Sequence, residues 1–270
     1  MNRTLRCPLC HDALTLGASA AHCPRGHSFD RAREGYFNLL PVQHKNSLDP
    51  GDDADMVAAR RAFLEAGFYS RFRDTLAGLL APLQPAHLID SGCGEGWYTT
   101  ALATTAQATT AFDISKNAIK RAAKRDAAIT WLVASSNAIP LEEASADALV
   151  AIFSPLDTAE AARVLKPGAA LLIAAPGEKH LWELREALYD EVRPHQAEKW
   201  QEELQRHFNF HSEARVQFTM NLPGNATVQQ LLKMTPHYWR ASREKRTQVE
   251  QLSSLVMQAD FRILQFRRKA

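Results

Sequence analysis

Two groups of residues have the types and the spacing to do chemistry. The first is the run LIDSGCGEGWYT from Leu88 to Thr99, where a short apolar stretch ends in Asp90 and Gly92, Gly94 and Gly96 then alternate before a helical pattern begins. Glycine allows a tight turn and lets a ligand come close to the backbone. The spacing D-x-G-x-G-x-G differs from the G-x-G-x-x-G of dinucleotide sites. A phosphate beside Asp90 would set two negative charges against each other, whereas a ligand with an ammonium and a sulfonium would be attracted. Asp113 closes the next apolar stretch. At that place an acid accepts hydrogen bonds from ribose hydroxyls.

The second group is Cys7, Cys10, Cys23 and His27, spaced C-x2-C-x12-C-x3-H. Two close pairs beside Pro and Gly suit a tetrahedral zinc ion. His11 and His22 are rivals to His27, but Cys23-Pro-Arg-Gly-His27 repeats the turn of Cys7-Pro-Leu-Cys10. Four protein ligands would close the site, which makes one structural ion the expectation. No thioredoxin-like βαβ pattern surrounds the pair, so redox chemistry is disfavoured.

The elements that must position these residues follow from periodicity. Residues 1 to 40 are rich in Cys, His, Pro and Gly and form the candidate zinc domain; residues 41 to 55 form a polar linker; residues 56 to 270 alternate between helix and strand. Asp55 caps a predicted helix through Ala66, and a second helix runs from Ser70 to Leu80. Strands are predicted over His87–Asp90, Thr109–Phe112, Thr130–Ala134, Asp147–Phe153 and Ala169–Ala175. Between them lie helices over Trp97–Thr105, from Ser115 to Arg125 and over Thr158–Leu165, the last stopped by Lys166-Pro-Gly168. A helical insert over about 180–258 precedes a final strand over Phe261–Phe266 that adds an antiparallel edge. The fold class is therefore α/β, a Rossmann-like, doubly wound, mostly parallel sheet with a small N-terminal zinc-binding domain.

Composition excludes some classes. With 270 residues, 46% apolar and 23% charged, the chain can bury a good core and is not disordered throughout. A net charge of +2 argues neither for nor against nucleic acid. Basic residues do cluster at Lys116, Lys120, Arg121, Lys124 and Arg125, and again at Arg240, Arg243, Lys245 and Arg246. The opening MNRTLRCPLC has no apolar stretch behind its charges, and no run is long enough to cross a bilayer. A cytoplasmic protein without membrane contact is expected, with its thiols reduced. Monomer and homodimer both stay open.

The acid, the three glycines, Asp113 and the segment VLKPGAALLIAAP together resemble the class I S-adenosylmethionine methyltransferases over roughly Leu88 to Pro176. The resemblance implies that Gly92, Gly94, Glu95 and Gly96 line the methionine side. It implies that Ser135, Ser136 or Asn137 face the adenine, and that Ser154 and Pro155 face the methyl group. Cys93, between two glycines, reads as a packing residue, since one-step methyl transfer needs no covalent enzyme intermediate.

A closer resemblance covers nearly the whole chain. The segments CPLCH, CPRGHSFDRAREGYFNLLPVQHK, DPGD, ARRAFLEAGFY, DISKNAIKRAAKR and MTPHYWRA are similar to the bacterial 23S ribosomal RNA guanine-N1-methyltransferases. That family implies methyl transfer to a guanine in a hairpin loop, and the order of segments favours the branch acting at 745 over the one acting at 748. It also implies that Tyr69 and His180 reach the cofactor. The Ser154-Pro155 pair departs from the Asn/Asp-Pro-Pro-aromatic motif of exocyclic amine methylation, which is compatible with a ring nitrogen. RNA contacts are expected from Arg25, Arg31, Arg33, Tyr36 and Phe37, and from His237, Tyr238, Trp239 and Arg240. Guanine N1 must lose a proton; His180, Asp157 and Glu178, in strand-end loops, are the candidate bases. The alternatives are a small-molecule methyltransferase with a zinc appendage and a non-enzymatic zinc-dependent RNA-binding module.

Overall fold

A computed structural model describes residues 5–41, 53–193 and 201–270. Most of the predicted linker, residues 42–52, lies outside the described residues. Four short strands, β1 (Leu5–Arg6), β2 (Ala13–Leu16), β3 (Ala20–His22) and β4 (Ser28–Asp30), form an antiparallel sheet around the cysteines. The next strand, β5 (Phe37–Asn38), leaves that sheet and pairs in parallel with a strand of the large one. Phe37 and Leu39 are buried against Leu132 and Phe112, so the N-terminal segment ends as an edge of the main sheet.

Helices α1 (Ala54–Glu65) and α2 (Ser70–Leu80) come next. Asp53, not the expected Asp55, caps α1, because its Oδ1 accepts from the N–H groups of Asp55 and Met56. Asp55 sits instead in the first turn, where a negative charge meets the positive end of the helix dipole. The alternating part then runs β6 (Leu88–Ser91), α3 (Trp97–Ala103), β7 (Thr109–Asp113), α4 (Lys116–Ala122), β8 (Thr130–Val133), β9 (Ala146–Ile152), α5 (Thr158–Val164) and β10 (Leu165–Pro176). Ser115 caps α4 as expected, through its Oγ to the Ala118 N–H.

After β10 come α6 (Trp182–Leu188), α7 (Gln201–His207), β11 (Phe208–Pro223), α8 (Asn225–Met234), α9 (His237–Arg240), α10 (Arg243–Glu250) and β12 (Ser254–Arg268). The predicted helical insert therefore contains a strand of 16 residues. Its signal was alternation, broken only at Ser212: Phe208, Phe210, Ala214, Val216, Phe218, Met220 and Leu222 all share one parity. That is the period of a strand with one covered face. The final strand is also longer than Phe261–Phe266, because β11 pairs with it along nearly its whole length.

Among the described residues the large sheet has eight strands in the order β11-β12-β10-β9-β6-β7-β8-β5. Pairing is parallel from β10 to β5, while β12 runs antiparallel to both its neighbours. Core strands such as Leu88–Ser91 are buried on both faces, as helix-covered parallel strands must be. After β6 the chain moves outward through β7 and β8, then returns to place β9 on the other side of β6. This reversal opens a crevice at the carboxyl ends of β6 and β9, where open α/β sheets bind ligands.

Candidate cofactor cavity and zinc centre

Each Cys-Pro turn is closed by a backbone hydrogen bond to the carbonyl of its first cysteine. The His11 N–H donates to the Cys7 carbonyl at 2.9 Å and the Gly26 N–H to the Cys23 carbonyl at 3.0 Å. Gly26, at φ +83, permits the second turn. The ligand atoms of Cys7, Cys10, Cys23 and His27 lie within 4.8 Å of one another. His27 Nδ1 is 3.5 Å from Cys7 Sγ and 3.3 Å from Cys23 Sγ, and Cys10 Sγ is 3.6 Å from Cys23 Sγ. Zinc–ligand bonds of about 2.0–2.3 Å in a tetrahedron give edges of roughly 3.3–3.8 Å, so the donor set fits one zinc ion. The sulfurs are too far apart for a disulfide, and all four cysteines are free. His11 and His22 are exposed and stand outside the cluster.

A cavity of about 1080 Å³ opens at the carboxyl ends of β6, β7, β8 and β9. It brings together every cofactor-side residue expected from the sequence except Gly96: Tyr69, Asp90, Gly92, Gly94, Glu95, Asp113, Ser135, Asn137, Ser154 and His180 line it, as do Cys93 and Pro155. Gly96 packs behind the loop instead, and a Cβ there would stand 2.7 Å from the Trp131 ring. Gly92 is tight for a related reason: a Cβ would lie 2.3 Å from the Ser154 Cβ. At Gly94, by contrast, a Cβ would meet nothing nearer than Arg60 at 4.0 Å. Its bare backbone therefore faces open space and forms a cradle.

Asp90 is 1% exposed. One carboxylate oxygen accepts from Thr99 Oγ1 at 2.6 Å, and the other is buried without a partner. Burial pushes the Asp90 carboxyl up to about 7; the charge of Asp113 adds to this, and the Thr99 hydroxyl opposes it. A buried, orphaned carboxylate oxygen beside a cavity is a site for a cationic donor. Asp113 is held by the Ser115 N–H at 2.8 Å and the Gly94 N–H at 2.9 Å, which fixes its carboxylate at the rim of the loop. Glu95 is bound by Arg125, which donates to both its side chain and its carbonyl. Burial still raises the Glu95 carboxyl. Arg125 thus leaves the basic cluster in which the sequence placed it.

Tyr69 and His180 meet although 111 residues separate them. The Asp260 N–H donates to His180 Nδ1 at 3.3 Å, so that nitrogen holds a lone pair. The neutral ring then carries its proton on Nε2, which lies 3.4 Å from Tyr69 Oη and donates to it. A ring held this way presents no lone pair to a substrate proton. The other candidate bases lie off the cavity. Asp157 does not line it: its Oδ1 caps α5 by accepting from the Glu160 N–H at 2.9 Å. Glu178 is exposed and also absent from the lining.

Of the expected RNA contacts, Tyr36 and Phe37 are each 4% exposed and belong to the core. Arg31 covers the Phe37 ring at 5.9 Å, and Arg25 pairs with Asp12 at 2.8 Å on the surface. His237 and Arg240 line the cavity, and Trp239 is 61% exposed. Arg60, Phe153 and Thr235 also line it and were not singled out from sequence. A positive φ of 54 at Phe153, just past β9, has no sequence signal.

Residues 5–48 match the zinc-ribbon family described as RlmA, N-terminal, and residues 89–173 match the family described as methyltransferase domain. The 23S rRNA (guanine(748)-N(1))-methyltransferase of Streptomyces fradiae is 33% identical over 245 residues, covering 88% of this chain and 86% of that one. A Bacillus subtilis (strain 168) protein provisionally named 23S rRNA (guanine-N(1)-)-methyltransferase is 32% identical over 96% of this chain and 95% of its own. In fold, the chain resembles N-methyltransferase NodS from Bradyrhizobium japonicum WM9, solved with S-adenosyl-l-homocysteine; the TM-score is 0.50 and identity 18%, over 81% of this chain and 100% of that one. With a zinc ribbon ahead of a methyltransferase domain and full-length relatives on this scale, the chain belongs to the family of S-adenosylmethionine-dependent 23S rRNA (guanine-N1)-methyltransferases.

Proposed function

We propose that this protein methylates N1 of a guanine in a hairpin loop of 23S ribosomal RNA, at the 745-type position. Residues 1 to 40 are the zinc-binding, RNA-recognising part, and residues 56 to 270 carry the transfer. The reading places the protein in the cytoplasm with its RNA. No helix among the described residues is long and apolar enough to cross a membrane.

The observation that carries the reading is the unpartnered, buried oxygen of Asp90 beside the bare backbone of Gly94. Asp90 takes the cofactor's ammonium, Asp113 its ribose, and Ser135 and Asn137 the adenine edge. Gly92 and Glu95 shape the methionine channel, the one by lying against Ser154 and the other by its tie to Arg125. Tyr69 accepts from His180 and keeps its own O–H for the cofactor. Ser154, held by its hydroxyl to the Ser91 carbonyl at 2.7 Å, sets the wall where the methyl group sits.

When bound, S-adenosylmethionine would supply the methyl group: N1 would bond to the methyl carbon in line as the carbon–sulfur bond breaks, S-adenosylhomocysteine would leave, and the N1 proton would pass to water. The protein's part is to hold the two partners close and aligned. At about 1080 Å³ the cavity exceeds the roughly 300–1,000 Å³ that small-ligand sites usually span, which leaves room for a base beside the cofactor.

The test is a map of methylated guanines in 23S RNA from a strain lacking the gene, before and after treatment with the purified protein. N1-methylation blocks the Watson–Crick edge, so reverse transcriptase stops there. A new stop at 745 supports the whole reading. A stop at 748 moves the protein to the other branch, and no new stop sinks the RNA substrate.

A further inference from the structure

The cavity has a wall that the cofactor assignment does not use. Arg60, Thr235, His237 and Arg240 line it, and they come from α1 and the α8–α9 segment rather than from the strand-end loops. Two of them lie on α9, one turn long, between α8 and α10. Several contacts fix that short helix. Tyr189 Oη lies 3.0 Å from His237 Nδ1, with the rings edge to face at 5.6 Å. Arg246 sits over the Tyr238 ring at 4.7 Å. Arg60 donates to the Met234 carbonyl at 3.4 Å, which ties the end of α8 to α1. On its outer side α9 presents Trp239, at 61% the most exposed large apolar side chain among the described residues. Arg240 makes no ion pair among the described residues. Arg243, Lys245 and Arg246 follow within six residues of it.

We propose that α9 is the acceptor subsite: Arg240 and His237 hold the target guanine inside the cavity, and Trp239 stacks the neighbouring unpaired base outside it. This rests on the guanine-N1 reading above and extends it to residues. The chemistry is specific. Removing the N1 proton puts negative charge on N1 and O6 together. A guanidinium at O6 stabilises that charge and stays protonated at every working pH. Its planar fork also matches the acceptors O6 and N7 of guanine. The His237 ring, oriented by Tyr189, meets the edge that carries N1. An exposed indole is a platform for any base, since every base has a π-face. Behind it Arg243, with Lys245 lying 3.1 Å from Asp190, adds positive charge for the phosphates of single-stranded RNA.

The test uses the full-length, zinc-loaded protein with a hairpin transcript of the 23S loop. Methyl transfer and S-adenosylhomocysteine binding are measured in parallel. Trp239→Ala is expected to raise KM for RNA about tenfold or more with kcat little changed, and Trp239→Phe to restore most of the affinity. Arg240→Ala is expected to lower kcat about a hundredfold, and Arg240→Lys to restore little of it, because a point charge lacks the fork. His237→Ala is expected to lower kcat and to alter its pH profile. S-adenosylhomocysteine binding stays at wild-type strength in all of these.

Wild-type kinetics in Trp239→Ala and Arg240→Ala would overturn the proposal. So would loss of S-adenosylhomocysteine binding in Arg240→Lys, which would assign this wall to the cofactor. A wild-type protein that leaves the hairpin unmethylated would instead overturn the substrate reading itself.

Discussion

Asp90→Asn is the most informative single change. The Asp90 carboxyl lies at about 7 in the folded protein against an ordinary 3.8. Because the folded value is raised, the penalty is absent below pH 3.8, grows between pH 3.8 and 7, and is complete above that. At pH 8 it comes to about 4 kcal/mol. Asparagine removes the charge but leaves an amide with no acceptor, which costs about 1–3 kcal/mol. The ligand-free variant should therefore be more stable than wild type at pH 8 by about 1–3 kcal/mol, and should show no gain near pH 3.5.

Binding should move the other way. The cofactor's ammonium needs the carboxylate, which is about nine-tenths ionised at pH 8 and about one-tenth at pH 6. S-adenosylhomocysteine, which keeps that ammonium, should bind wild type roughly tenfold more weakly at pH 6 than at pH 8. In Asp90→Asn binding should be weaker at pH 8 by about 10- to 100-fold and flat with pH, since a charge-assisted hydrogen bond is lost. Isothermal titration at three pH values and thermal unfolding at two decide the matter. A wild-type affinity that does not change between pH 6 and 8, with no gain in stability for the variant, would refute the placement of the carboxylate.

Three further outcomes follow from the geometry. The protein should carry one zinc ion by atomic absorption; Cys23→Ser should lose it and Cys93→Ser should keep it, because Cys93 lies outside the cluster. Gly92→Ala needs φ +74 and sets a methyl 2.3 Å from Ser154, so it should abolish S-adenosylhomocysteine binding and lower Tm. Gly94→Ala meets only backbone strain, about 1–3 kcal/mol, and its fall in Tm should be the smaller of the two. Asp157→Ala removes the α5 cap at a cost of about 1 kcal/mol, yet methylation per folded molecule should be unchanged; a large drop in kcat would return Asp157 to the candidate bases.

Much of this protein was legible in its sequence because the signals are local. The Asp90 loop, the four zinc ligands and the capping Ser115 each depend on residues a few positions apart. The strand β11 was legible too, through its alternating apolar residues, but an expected helical insert hid it. Tyr36 and Phe37 show the opposite difficulty. An aromatic pair beside arginines suits RNA stacking and core packing equally, and only the pairing of β5 with β8 decides for the core.

What the sequence determined by itself is the chemistry of the two sites, since glycine φ freedom, a preceding acid and Cys-x-x-Cys turns act within a few residues. The tertiary structure decided which distant groups share the cavity and in what state. It set His180 against Tyr69 and the Asp260 N–H, which takes away the lone pair that a general base would need. It also drew Arg125 onto Glu95 and brought Arg240 to the same cavity as Asp113. Those pairings cross tens to more than a hundred residues. They depend on sheet order and helix packing, which no short-range pattern encodes.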